Sequence, residues 1–147
     1  MKIKSLLVLL TLGMSACTGS KYAGVPKQYQ ELISQTMQTA GSNAKELKKA
    51  LKQTPTTQRE GMAFLISYMP ERDAKALTAD FLLENVDYAY KARAEFPWAK
   101  EVPNDIFLND VVAYVNLNEK RENWRKDFYE RFKKYVANCK TMREAID

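Results

Sequence analysis

The sequence predicts an all-α fold, a compact bundle of about five to six helices, on three observations. Apolar residues recur at spacings of three and four through most of the 147-residue chain. Proline or glycine stands at most breaks between those periodic segments. The one stretch that reads as a strand, Val111-Val112-Ala113-Tyr114-Val115, is rich in β-branched residues but has no second strand signal to pair with, so it is assigned to a helix end and loop.

The first helix follows Pro26, with Tyr29, Leu32, Ile33, Thr36, Met37 and Ala40 at helical spacing, and stops at Gly41-Ser42-Asn43. Asn43 is expected to cap a second helix, in which Ala44, Leu47, Ala50 and Leu51 share a face while Lys45, Lys48, Lys49 and Lys52 occupy others; Thr54-Pro55 ends it. Thr57 and Glu60 have capping-box spacing and open Gly61 to Met69, which is apolar nearly all round and is therefore the expected buried central helix. Pro70 closes it, and Glu71-Arg72-Asp73 reads as a polar elbow.

Residues 77–94 form the most helical stretch, with Phe81, Leu82, Val86, Tyr88, Ala89 and Ala92 on a wide apolar face and Asp87–Lys91 as an i,i+4 pair on the solvated side. Phe96-Pro97-Trp98 terminates it, because proline restricts the residue before it. A shorter helix begins at Pro103-Asn104 and runs through Ile106, Phe107, Asp110 and Val111. The last long helix is expected over residues 118–138, with Trp124, Phe128, Phe132 and Tyr135 or Val136 recurring at three or four. Glu122–Lys126, Asp127–Arg131 and Glu130–Lys134 are its expected surface pairs. Thr141-Met142-Arg143-Glu144 repeats the capping-box spacing close to Asp147, a helix start with little helix after it.

The front end reads differently. Met1-Lys2-Ile3-Lys4 is followed by the uncharged run Ser5 to Met14, the plan of a secretory signal peptide. That run falls well short of the roughly 20 apolar residues needed to cross a bilayer. Met14-Ser15-Ala16-Cys17 resembles the processing box of bacterial lipoproteins, with Met14 where leucine is usual. Residues 1–16 are therefore expected to be a lipoprotein signal peptide, and Cys17 the acylated residue that holds the protein to the lipid bilayer. Residues 17–25 would be a short polar tether and residues 26–147 a single helical domain.

Composition narrows the chemistry. Residues 21–60 carry seven Lys/Arg against three Asp/Glu and residues 61–147 fourteen against fifteen, so no concentrated basic footprint for nucleic acid exists. The chain has no histidine, which removes serine–histidine and cysteine–histidine nucleophilic arrangements within it. Of its two cysteines the first is assigned to lipid, leaving Cys139 without an intrachain partner, as a small buried hydrophobe in the first reading and a reactive thiol in the alternative. One thiol and scattered carboxylates make no usual zinc set, and no glycine loop of the phosphate-binding kind appears, so neither metal nor cofactor is expected.

Paired carboxylates are the remaining catalytic apparatus. Asp80 with Glu84, or Glu84 with Asp87, lie one turn apart on a helix, but like pairs on a solvated helix are common, and glycosidase chemistry needs two acids converging on a cleft. Glu84-Asn85 interrupts an apolar segment; turned inward, it needs hydrogen-bonding partners, for which neighbouring helix ends or Trp124 and Arg125 are the natural candidates. The expectation is a polar clamp between helices, with ligand binding as the alternative. Trp98 reads as a core anchor, and as an interface hot spot if it is exposed.

Arg59-Glu60-Gly61-Met62-Ala63-Phe64-Leu65, Met69-Pro70-Glu71-Arg72-Asp73, Ala79 to Val86, Ala89 to Arg93, Pro97-Trp98-Ala99-Lys100, Ile106 to Val111, Asn118 to Arg121 and Trp124 to Tyr129 together carry a resemblance. In order and over nearly the whole mature chain, they resemble the helical region that precedes the catalytic core in transglutaminase-like lipoproteins of gut Bacteroides. The resemblance implies a papain-like core downstream, with cysteine, histidine and aspartate, which this chain does not contain. Cys139 lies before the place of that core and is not its nucleophile. The resemblance therefore implies a chain cut short of the core, or a helical module working alone or with a separately encoded transglutaminase-like partner. Thr18-Gly19-Ser20-Lys21 lacks the acidic patch that resembles a surface-export signal, which favours the periplasmic side of the outer membrane. The leading functional expectation is a non-catalytic module that binds or docks a protein, peptide or glycan-related partner. The alternatives are a carboxylate-dependent glycan hydrolase and an inactive truncated remnant.

Overall fold

A computed structural model of the chain describes residues 22–115 and 119–147; Cys17 and the rest of the expected signal and tether up to residue 21 lie outside the described residues. Every regular element among them is helical and none is a strand. The α-helices are α1 (Gln30–Ala40), α2 (Ala44–Gln53), α3 (Arg59–Ser67), α4 (Glu71–Ala74), α5 (Ala79–Glu95), α6 (Asn104–Ile106), α7 (Trp124–Val136) and α8 (Met142–Ile146). Five of these have nine residues or more, joined by single turns of α- or 3-10 helix.

The main core is built by α1, α2, α3 and α5 around Ile33, Leu47, Met62, Ile66, Leu82 and Val86. α3 is the central helix its composition predicts, with six of its nine residues buried. A smaller cluster of Phe96, Ala99 and Tyr129 joins α7 to the end of α5, where Tyr129 meets Tyr88 at 5.4 Å between ring centroids. α7 thus lies on the flank of the bundle.

Local details depart from expectation where another partner or a tighter turn outcompetes the expected contact. Asn43 does not cap α2 through its side chain; its amide donates instead to the carbonyls of Ala74 and Leu77, both at 2.9 Å, stitching the α1–α2 corner to the end of α4. Thr57 makes no side-chain cap either, because Thr56–Gln58 form a 3-10 turn that feeds α3. Asp87 accepts from Gln58, and Lys91 lies over the Tyr129 ring at 4.5 Å, so they do not form the expected pair. On α7 only Asp127–Arg131 forms among the three expected pairs, and Glu130 takes Lys133. α7 begins at Trp124 rather than near residue 118. At the other end Thr141 caps a real helix, α8, by accepting from the Glu144 amide.

Two further differences shape the molecule. Tyr22 to Val25, expected as tether, make a turn in which Val25 joins the main core and Gln30 donates to the carbonyls of Tyr22 and Val25. The polar elbow at Glu71 is the helical turn α4, and it buries Asp73.

Gly61 sits where α3 meets α5. A Cβ there would stand 2.7 Å from Tyr90 Cε2 and 3.0 Å from its hydroxyl oxygen, which accepts the Gly61 amide at 3.2 Å. The Tyr90 ring is itself pinned edge-on against buried Phe107 at 5.0 Å. Gly61→Ala is therefore expected to lower stability by about 1–2 kcal/mol, the steric cost outweighing the helix propensity gained. A urea midpoint that falls with an unchanged m-value is the predicted readout.

Candidate functional site

Two buried polar clusters hold the segment after α6 and the start of α7 against the bundle. The first begins with a π-turn: Phe107–Val111 continue α6, and the Val112 amide reaches the Phe107 carbonyl at 2.8 Å. The helix ends there, so the Val112 and Ala113 carbonyls need outside donors. Asn85, buried on α5, donates to Val112 O at 2.6 Å and accepts from Arg125 Nε at 2.8 Å, while Arg125 also donates to Ala113 O at 2.7 Å. Burial lowers the Arg125 guanidinium to about 10, which leaves it protonated at neutral pH. A cation at a helix C-terminus also complements the carbonyl dipoles.

The second cluster centres on Asp73. Its carboxylate accepts from Arg121 Nε at 2.9 and 3.1 Å, from another Arg121 nitrogen at 2.9 Å and from the Tyr114 hydroxyl at 3.0 Å. Burial, with the Asp73 charge beside it, holds the Tyr114 phenol far above the ordinary tyrosine range. Trp124 donates to the Tyr114 carbonyl at 3.2 Å, linking this cluster to the first turn of α7.

These anchors fix which way α7 faces. Arg125, Tyr129 and Val136 turn toward α5, and at about 100° per residue the rings of Trp124, Phe128, Phe132 and Tyr135 fall within one arc of about 80° beside them. They form a continuous row, with centroid separations of 5.2, 5.5 and 6.4 Å in order. The sequence suggests burial for a row at this spacing, but Phe128 and Phe132 are each 48 % exposed and Tyr135 is 68 % exposed. The Arg131–Asp127 pair and Lys134, which lies over the Tyr135 ring at 4.9 Å, border the row.

Of the residues singled out from the sequence, Asn85, Trp124 and Arg125 come together at this junction, with Arg125 4.6 Å from the Trp124 ring. Glu84, half-buried on α5, takes no part in it. Trp98 is half-buried rather than exposed: it stacks on Phe96 and donates to the Val136 carbonyl at 3.3 Å, securing the far end of α7. Cys139 is partly exposed rather than buried, its thiol 3.3 Å from the Glu144 carbonyl. Asp80 is ion-paired with Lys49 at 2.9 Å and largely exposed, and neither it nor Glu84 nor Asp87 lines the open cleft between α3, α4 and the segment at residues 113–115. Among the described residues no group of three or more Cys, Asp or Glu is placed to hold a metal ion, and no helix is long and apolar enough to cross a membrane.

Asp73, Tyr114 and Arg121 were not legible as a cluster, since Asp73 and Arg121 are 48 residues apart and no local spacing relates them. No family model, curated protein or solved structure matches the chain. The geometry thus defines a class, an all-helical unit with an anchored but uncovered aromatic helix face, and leaves its role to that face.

Proposed function

We propose that this chain is a non-catalytic helical module of a membrane-anchored lipoprotein, and that it docks a protein partner through the aromatic face of α7. The observation that carries this reading is the row Trp124–Phe128–Phe132–Tyr135, left uncovered beside the flank of the helix that Arg125 and Tyr129 anchor to α5. Contiguous exposed aromatic surface bordered by charge is typical of protein interfaces, whose hot spots favour aromatic residues. α7 carries five Lys/Arg (Arg125, Lys126, Arg131, Lys133, Lys134) and two Asp/Glu (Asp127, Glu130). The complementary partner surface is an apolar patch rimmed by carboxylates. The resemblance to the region before a transglutaminase-like core supports a separately encoded protein of that kind as the occupant. Acylated Cys17 would hold the module to the bilayer, on the periplasmic side of the outer membrane.

Capture from a detergent extract of the source cell envelope tests the reading, with the mature protein immobilised through position 17 and compared with Phe128→Ser/Phe132→Ser. Both rings are half exposed, so the double variant is expected to stay within about 1 kcal/mol of the parent in stability. The parent is expected to retain a protein with a histidine-containing transglutaminase-like core, depleted at least about tenfold on the variant. Retention of the same proteins by both, or of none by a folded parent, contradicts docking through α7 and leaves an inactive remnant as the better account.

A further inference from the structure

A second surface, distinct from the α7 row, has the form of a ligand site. Between α3, α4 and the segment after the π-turn lies an open cleft of about 650 Å³. Its volume falls within the range of about 300–1,000 Å³ typical of small-molecule pockets. The floor is apolar: Leu65, Met69 and Val115, with the rings of Phe64 and Tyr68 set 5.0 Å apart. Tyr68 is 61 % exposed although it belongs to an otherwise buried helix end, so a large ring faces the opening uncovered.

The charges at the cleft do not balance. Two guanidinium groups, Arg72 and Arg121, line it, and among the described residues no carboxylate does. Asp73, directly beneath, is engaged by Arg121 in paired contacts near 2.9 Å. Arg72 approaches that carboxylate only at 3.6 Å and keeps 72 % of its side chain exposed. Neighbouring Glu71 is paired with Lys75. Asp73 is thus shared by two guanidinium groups, which leaves a surplus of one positive charge at the mouth of an apolar, partly aromatic cleft.

We propose that this cleft binds a carboxylate carried on an apolar tail, with the tail against Phe64, Tyr68 and Met69 and the carboxylate on Arg72. A medium-chain fatty acid and the C-terminal apolar residue of a peptide share that chemistry. Arg72 can donate two parallel N–H bonds to a carboxylate, whereas the isosteric amide offers only one acceptor oxygen and no charge.

Calorimetric titration of the folded protein with two pairs of probes tests the proposal. Decanoate is compared with decanamide, and N-acetylphenylalanine with N-acetylphenylalaninamide. At least one acid is expected to bind about tenfold more tightly than its amide, and Arg72→Gln to abolish that preference. Arg72 is exposed, so the variant folds, which far-UV circular dichroism verifies. The arm that responds identifies the source, acyl chain or peptide terminus. Equal binding of acid and amide, a preference that survives Arg72→Gln, or no heat from either acid overturns the proposal.

Discussion

Asp73→Ala is expected to be among the most damaging single substitutions in this domain, with a loss of about 2–3 kcal/mol. The Asp73 side chain is 3 % exposed, so its carboxylate lies out of water, while Arg121 reaches it from the wall of the open cleft. Removing the carboxylate leaves the Arg121 guanidinium and the Tyr114 hydroxyl without the acceptor they share. Such a loss is a large share of the roughly 5–15 kcal/mol that holds a domain together. The cost comes from donors left without their shared acceptor more than from the lost attraction, which yields a second expectation. Asp73→Ala/Arg121→Met removes both charges and is expected to cost less than Asp73→Ala alone, although it forfeits the tie between α4 and the segment leading into α7. Urea denaturation of the parent and both variants measures this. A loss below about 1 kcal/mol for Asp73→Ala would mean that water reaches the pair freely.

Asn85→Leu is expected to cost about 3 kcal/mol, because it buries Arg125 Nε and the Val112 carbonyl without partners. The more informative variant is Asn85→Asp. A carboxylate could still accept from Arg125, and its charge would favour that contact, but it has no proton for Val112 O, which sits 2.6 Å from the asparagine nitrogen. Two acceptors would then face each other at that distance. Only an amide supplies one donor and one acceptor in this arrangement, so Asn85→Asp is expected to lose about 1–2 kcal/mol despite the new ion pair. Stability equal to or above the parent for Asn85→Asp would show that the Val112 contact contributes little.

Both clusters bear on what could be read from the sequence. The helical class and most helix spans were legible because apolar spacing and proline breaks are local, and α3 announced its burial by lacking a polar side. Asn85 and Arg125 were legible as candidates because a polar pair in an apolar segment requires partners. The Asp73–Arg121 pairing was not, since a short polar turn after Pro70 looks the same whether its carboxylate faces water or an arginine 48 residues away. The caps expected at Asn43 and Thr57 failed for a related reason. Asn43 found two carbonyls on α4 and its following turn, and Thr56–Gln58 turned as 3-10 helix. The direction of the aromatic row on α7 was beyond periodicity altogether. A spacing of three and four defines a face, but only Arg125, Tyr129 and Trp98 decide which face meets α5.

That uncovered row is the centre of the functional account, and site-specific photocrosslinking in the source cells tests it most directly. A benzophenone side chain replaces Phe132 in one strain and Lys52, an exposed residue of α2, in another. The account predicts one protein adduct from position 132, identified by mass spectrometry as carrying a transglutaminase-like core, and none of that mass from position 52. The same adducts from both positions, or none from position 132 in a folded and correctly exported protein, would contradict a docking role for α7.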